Sequence, residues 1–70
     1  MTENEIRSKM AINAGHAEGL VRGTLNMLNA AMNVDSALIK QVKMKLTEAN
    51  ALFEENDKLH RELINTIDRG

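Results

Sequence analysis

The chain has 70 residues, enough for one domain at most, with 27% charged residues and a formal net charge of −1. It contains no proline, cysteine, tryptophan or tyrosine, and Phe53 is its single aromatic residue. This excludes disulfide staples and thiolate metal sites, and it gives no net field to steer the chain onto nucleic acid or anionic lipid.

No stretch approaches the roughly 18 uncharged apolar residues that a membrane span needs. Residues 1 to 14 carry Glu3, Glu5, Arg7 and Lys9, so they lack the apolar centre of a secretion signal. A soluble cytoplasmic protein is the expectation. Abundant Ala, Leu, Met, Glu and Lys, with no proline, point to helix throughout.

The first helix is expected over about residues 3–32. Thr2 followed by Glu5 has the spacing of a capping box, in which side chain and backbone satisfy each other's orphan groups. Met1 and Ile6 stand where a hydrophobic staple would put them. Apolar or small residues then recur at Ile6, Met10, Ala14, Ala17, Val21, Leu25, Leu28 and Met32. Steps of three and four mark one buried face.

The pattern breaks at "NAAMNVDSA", residues 29 to 37. Asn33 is the expected left-handed cap of the first helix. Asp35 is the expected N-cap of the second, with Val34 and Ile39 as staple. So short a connection makes an antiparallel helical hairpin.

The second helix is expected over about residues 35–68. Ile39, Val42, Leu46, Ala49, Phe53, Asn56, His60, Leu63 and Ile67 alternate by three and four, as in a coiled-coil seam with two polar members. Leu38, Leu52, Leu59 and Ile64 broaden this face beyond one neighbour's width. Glu54 with Lys58 and Asp57 with Arg61 are i,i+4 pairs on the outer face. Closing the hairpin brings Leu28 to Val42, Leu25 to Leu46, Val21 to Ala49 and Ala17 to Phe53. Asn13 and Ala14 approach Asn56, Met10 approaches His60, and Ile6 approaches Leu63.

One hairpin of this size is marginal as an independent core. The reading is therefore an all-α antiparallel helical hairpin, residues 1–70 as one domain, that assembles into an oligomeric helix bundle. A dimeric four-helix bundle is favoured, with a trimer second.

Ala11, Gly15, Gly19 and Gly23 form a small-residue row beside the seam. Each interior glycine costs roughly 1 kcal/mol relative to alanine, so the row suggests that another helix packs close to it. Close packing inside the hairpin is the competing explanation. Binding candidates are Ala11, Gly15, His16, Gly19, Arg22, Gly23, Asn56 and His60.

His16 and His60 are the only histidines, and the hairpin sets them about 9 Å apart along its axis. They therefore share no metal within one chain. Asp57 and His60 have the i,i+3 spacing of carboxylate–histidine metal helices, but the facing glutamates that complete such sites are missing. His60 reads instead as a polar seam residue which, with Asn56, fixes register or oligomer number. Ser8 and Ser36 lie near helix starts, where capping explains them. No metal, cofactor or catalytic constellation is expected.

The segments "AINAGHAEGLVRGTLNML" and "LTEANALFEENDKLHRELI" resemble the first two helices of the lactose/cellobiose-type IIA proteins of the phosphotransferase system. The matching residues are Ile12, Gly15 and Ala17, then Leu46, Glu48 and Ala49. In that family the phospho-accepting histidine and the metal-binding aspartate lie on a third helix, for which these 70 residues give no expected counterpart. Neither His16 nor His60 matches that position, so the resemblance implies assembly through a small-residue face and not phosphoryl transfer. The chain is also similar in length and architecture to the Rop-type RNA-binding hairpin dimer.

The functional expectation is a small non-enzymatic regulatory or inhibitory protein-binding module, of the kind phages and mobile elements encode. Its partners would be itself and another protein. A second reading is sequestration of a small phosphate-bearing ligand at subunit interfaces lined by Gly15, His16, Gly19, Arg22 and Gly23. A third is RNA binding through Arg22, Lys40, Lys43 and Lys45, although a solvated helix face explains the lysine run more simply.

Overall fold

The computed structural model describes residues 1–69 and consists of two helices, α1 (Glu3–Ala30) and α2 (Ser36–Arg69), folded back on each other. The hairpin is a rod, 54 × 15 × 13 Å. No strand occurs among the described residues.

The start of α1 is built as its sequence dictates. The Thr2 hydroxyl accepts the Glu5 N–H at 3.2 Å, and the Thr2 N–H donates to Glu5 Oε1 at 3.4 Å. Thr2 itself is extended, so the reciprocal capping box is complete. Glu3 and Glu5 place carboxylates at the positive end of the helix dipole. At α2, the Asp35 carboxylate accepts the Leu38 N–H at 2.8 Å, which satisfies one of the orphan donors of the first turn.

The end of α1 departs from expectation. The helix stops at Ala30, two residues early, and Asn33 is not a left-handed cap, because no described residue other than glycine has a positive φ. Ala31 turns into extended backbone at φ −72°, ψ 129°, and its N–H reaches the Leu28 carbonyl at 3.4 Å. That tightened last turn ends the helix without a left-handed residue. Met1, Val34 and Ile39 all remain exposed, so the expected hydrophobic staples bury little.

The seam between the helices follows a strict heptad on both sides. On α1 the inward positions are Ile6, Met10, Asn13, Ala17, Leu20, Thr24 and Met27. On α2 they are Leu38, Val42, Lys45, Ala49, Leu52, Asn56, Leu59, Leu63 and Thr66. Written as heptads, Met10, Ala17 and Thr24 are a positions of α1, and Val42, Ala49, Asn56 and Leu63 are a positions of α2; the others are d.

This seam corrects the sequence-based one. Ala14, Val21, Leu25, Leu28 and Met32 of the expected α1 face are exposed, as are Ile39, Leu46, Phe53, His60 and Ile67 of the expected α2 face. Fewer than half of each pattern holds: Ile6, Met10 and Ala17 on α1, and Val42, Ala49, Asn56 and Leu63 on α2, turn inward. On α2 the a stripe is as expected, but its inner companion is the d stripe with Leu38, Leu52 and Leu59, not the e stripe with Leu46 and Phe53. The pairings of Leu25 with Leu46 and Ala17 with Phe53 fail for this reason. Ile6 does pack in a cluster with Leu59 and Leu63, with Met10 against it.

Two polar residues occupy inward positions that the count of apolar residues passed over. Asn13 is buried and donates from Nδ2 to Asn56 Oδ1 at 3.1 Å, while Asn56 Nδ2 donates to the Met10 carbonyl at 3.1 Å. Thr24, also buried, returns its hydroxyl to the Leu20 carbonyl at 2.8 Å. No buried side-chain nitrogen or oxygen among the described residues lacks a partner. Burying polar groups costs little only when they are bonded, and here they are. Short side chains at Asn13, Ala17 and Thr24 also let the helices approach, so the larger side chains of α2 lie between them.

Candidate interaction surface

An antiparallel helix pair has two long flanks, one formed by the g positions of both helices and the other by their e positions. The two flanks of this hairpin differ in chemistry.

The g flank is polar. Lys9 Nζ lies 3.4 Å from Glu55 Oε1, and His16 Nε2 lies 3.8 Å from Glu48 Oε1. Both pairs cross from α1 to α2 and are roughly half exposed, so each contributes at most about 1 kcal/mol but keeps the flank hydrated. The i,i+4 ion pairs among the described residues are Glu3–Arg7 and Glu18–Arg22, not the expected Glu54–Lys58 and Asp57–Arg61. Glu54 accepts from Asn50 instead.

The e flank is apolar. On α1 it carries Ala14, Val21 and Leu28, with Leu25 beside them; on α2 it carries Ile39, Leu46, Phe53 and Ile67, with Ile64 beside them. All of these are exposed. Phe53, the single aromatic ring, is 47% exposed and Leu25 56%. Scattered exposed leucines are ordinary, but a contiguous apolar stripe running along two helices marks an interaction surface. The ring escapes the core because the seam turned by one position, which leaves α2 with an apolar arc of d, a and e stripes and only one neighbour to cover it.

Arg7 and His60 stand at the open end of this flank. They line a shallow groove of about 430 Å³ together with Met10, Leu63, Ile64 and Ile67. His60 is therefore not a seam residue: it occupies an e position, exposed, while Asn56 alone keeps the polar seam role through Asn13. His16 lies on the opposite flank, so the two histidines face apart. No group of three His, Cys, Asp or Glu side chains converges as around a metal ion among the described residues.

The glycine row winds across the outer side of α1, from Ala11 beside the e flank through Gly15 and Gly19 to Gly23 at a g position. A Cβ built on Gly15, Gly19 or Gly23 meets no atom within 4 Å, and Ala11 is likewise exposed. Close packing within the hairpin thus does not explain the row. Its neighbours Arg22 and His16 each face a carboxylate, Glu18 at 2.7 Å and Glu48 at 3.8 Å. The lysine run is divided: Lys40 and Lys43 are exposed, whereas Lys45 takes an inward d position and is only partly exposed. A lysine at such a position can bury its aliphatic stem and keep its ammonium in water.

The fold and surface define an antiparallel coiled-coil hairpin with one apolar and one ion-paired flank. Compared with protein-family models, curated proteins and solved structures, the chain matches none. No helix among the described residues is long and apolar enough to cross a membrane.

Proposed function

We propose that this chain is a small non-enzymatic protein-binding module of regulatory or inhibitory type that works as a homo-oligomer. The observation that carries the reading is the surface it leaves uncovered. One hairpin exposes 5351 Å², whereas a compact monomer of this length exposes about 4,400 Å². Its radius of gyration is 16.0 Å against roughly 11 Å for a compact domain of 70 residues. The buried apolar side chains among the described residues are Ile6, Ala17, Ala49, Leu59 and Leu63, a thin core for two helices of this length. Covering more apolar surface by association is the remedy open to small domains.

Binding, not turnover, fits the polar groups as they stand. The histidines sit on opposite flanks among exposed side chains, Lys9 pairs with Glu55 on the g flank, and His16 lies 3.8 Å from Glu48 there. The test is light scattering across a dilution series followed through thermal melting. Self-association should raise the mass above one chain and make the melting temperature rise with concentration. A species of one-chain mass that melts cooperatively at micromolar concentration refutes the homo-oligomer.

A further inference from the structure

Resting on that reading, we infer that a second copy of this chain docks on the e flank, over Val21, Leu28, Ile39, Leu46 and Phe53, and not on the glycine row of α1.

Three observations converge on this face and this occupant. First, the two flanks are chemically opposite. Any partner on the g flank must displace the Lys9–Glu55 and His16–Glu48 contacts or desolvate them. A partner on the e flank covers exposed aliphatic side chains and the Phe53 ring, with Arg7 and His60 at one end and the exposed charges of Glu18, Lys43 and Asp57 left at its borders. Second, the area fits. The hairpin exposes 5351 Å², an excess of about 1,000 Å² over a compact monomer of its size, and a standard interface buries about 800 Å² per partner. Third, the flank is a continuous face two helices wide on a rod 54 Å long. Its complement must be equally long and wide, apolar along its centre and charged at its borders. The same flank of another copy has those properties, and an isologous contact closes with the pair.

The product is a four-helix bundle in which each α2 touches α1 through its a and d stripes and the other copy through its e stripe. Helices with an apolar arc of that width face two neighbours in bundles. Gly15 and Gly19, the outward members of the glycine row, then stay at the surface.

The experiment measures self-association of the full chain by analytical ultracentrifugation over a concentration series. The variants are Leu46→Glu, Phe53→Glu and Gly19→Leu, with circular dichroism reporting helix content. A carboxylate placed in an apolar interface without a partner should weaken association by about a hundredfold or more. Gly19→Leu should leave it unchanged. Because a glutamate variant could lose its fold, a second readout uses single thiols in a chain that has no cysteine. Phe53→Cys, at mid-rod where the two-fold of an isologous pair falls, should oxidise to a covalent dimer readily, and Glu54→Cys, one residue away on the outer face, should not. If the wild-type chain self-associates but Leu46→Glu associates as well as it does, or Glu54→Cys crosslinks as well as Phe53→Cys, the surface assignment is overturned and the homo-oligomer stands. A wild-type chain of one-chain mass at every concentration overturns both.

Discussion

Removing Asn56 should destabilise this hairpin more than removing the asparagine it faces. The Asn56→Ala change deletes two hydrogen bonds at once, the one from Asn13 Nδ2 and the one to the Met10 carbonyl, each 3.1 Å long. It also leaves the Asn13 amide, in a residue only 8% exposed, without its partner. A buried polar group left without its partner costs about 1–3 kcal/mol, so a loss of about 2–3 kcal/mol is expected. Asn13→Ala leaves Asn56 still bonded to Met10 and partly exposed, so its Oδ1 can be hydrated; about 1 kcal/mol is expected there. Replacing both by leucine removes the penalty at its source and should fall within about 1 kcal/mol of wild type. Urea unfolding at one fixed protein concentration, followed by circular dichroism, measures all three. At roughly 4–8 °C per kcal/mol for a domain of this size, Asn56→Ala should lower the melting temperature by about 10–20 °C. An Asn56→Ala chain no less stable than Asn13→Ala would refute the reasoning, because the asymmetry follows from the burial of Asn13 and the second bond of Asn56.

The remaining expectations concern single features of the hairpin. Ile6→Ala empties the fully buried site among Leu59, Leu63 and Met10, and should cost about 2–4 kcal/mol in denaturant unfolding. Asp35→Ala removes the acceptor of the Leu38 N–H and should cost about 1 kcal/mol, whereas Asp35→Asn should keep most of the cap. Replacing Gly15, Gly19 and Gly23 together by alanine meets no atom within 4 Å in the hairpin and should raise stability by about 2–3 kcal/mol through helix propensity. A lower melting temperature for that triple variant would show that a neighbour packs against the row. Lys9→Ala, which removes a half-exposed ion pair, should change stability by no more than about 1 kcal/mol, and less in high salt.

Local chemistry in the sequence determined both helix starts, the number of helices and the antiparallel turn. Thr2 with Glu5, and Asp35 with the third residue beyond it, act within one turn, so nothing distant can overrule them. Contact between Asn13 and Asn56 was likewise readable, because the loop position fixes which residues lie level with each other. The face each helix turns inward was not. Both helices carry more apolar stripes than one neighbour can cover, so hydrophobic periodicity permits two seams rotated by one position. Tertiary packing selected between them by criteria that a count of apolar residues omits. Short residues at Asn13, Ala17 and Thr24 allow close approach, a hydrogen bond from Asn13 to Asn56, which in turn donates to the Met10 carbonyl, makes the polar positions tolerable, and Leu59 and Leu63 enclose Ile6. With Phe53 and Leu46 on the open e flank instead of in the core, the candidate binding surface moved with that rotation. A helix face is decided by what lies against it, and that is a property of the pair of helices, not of either sequence segment.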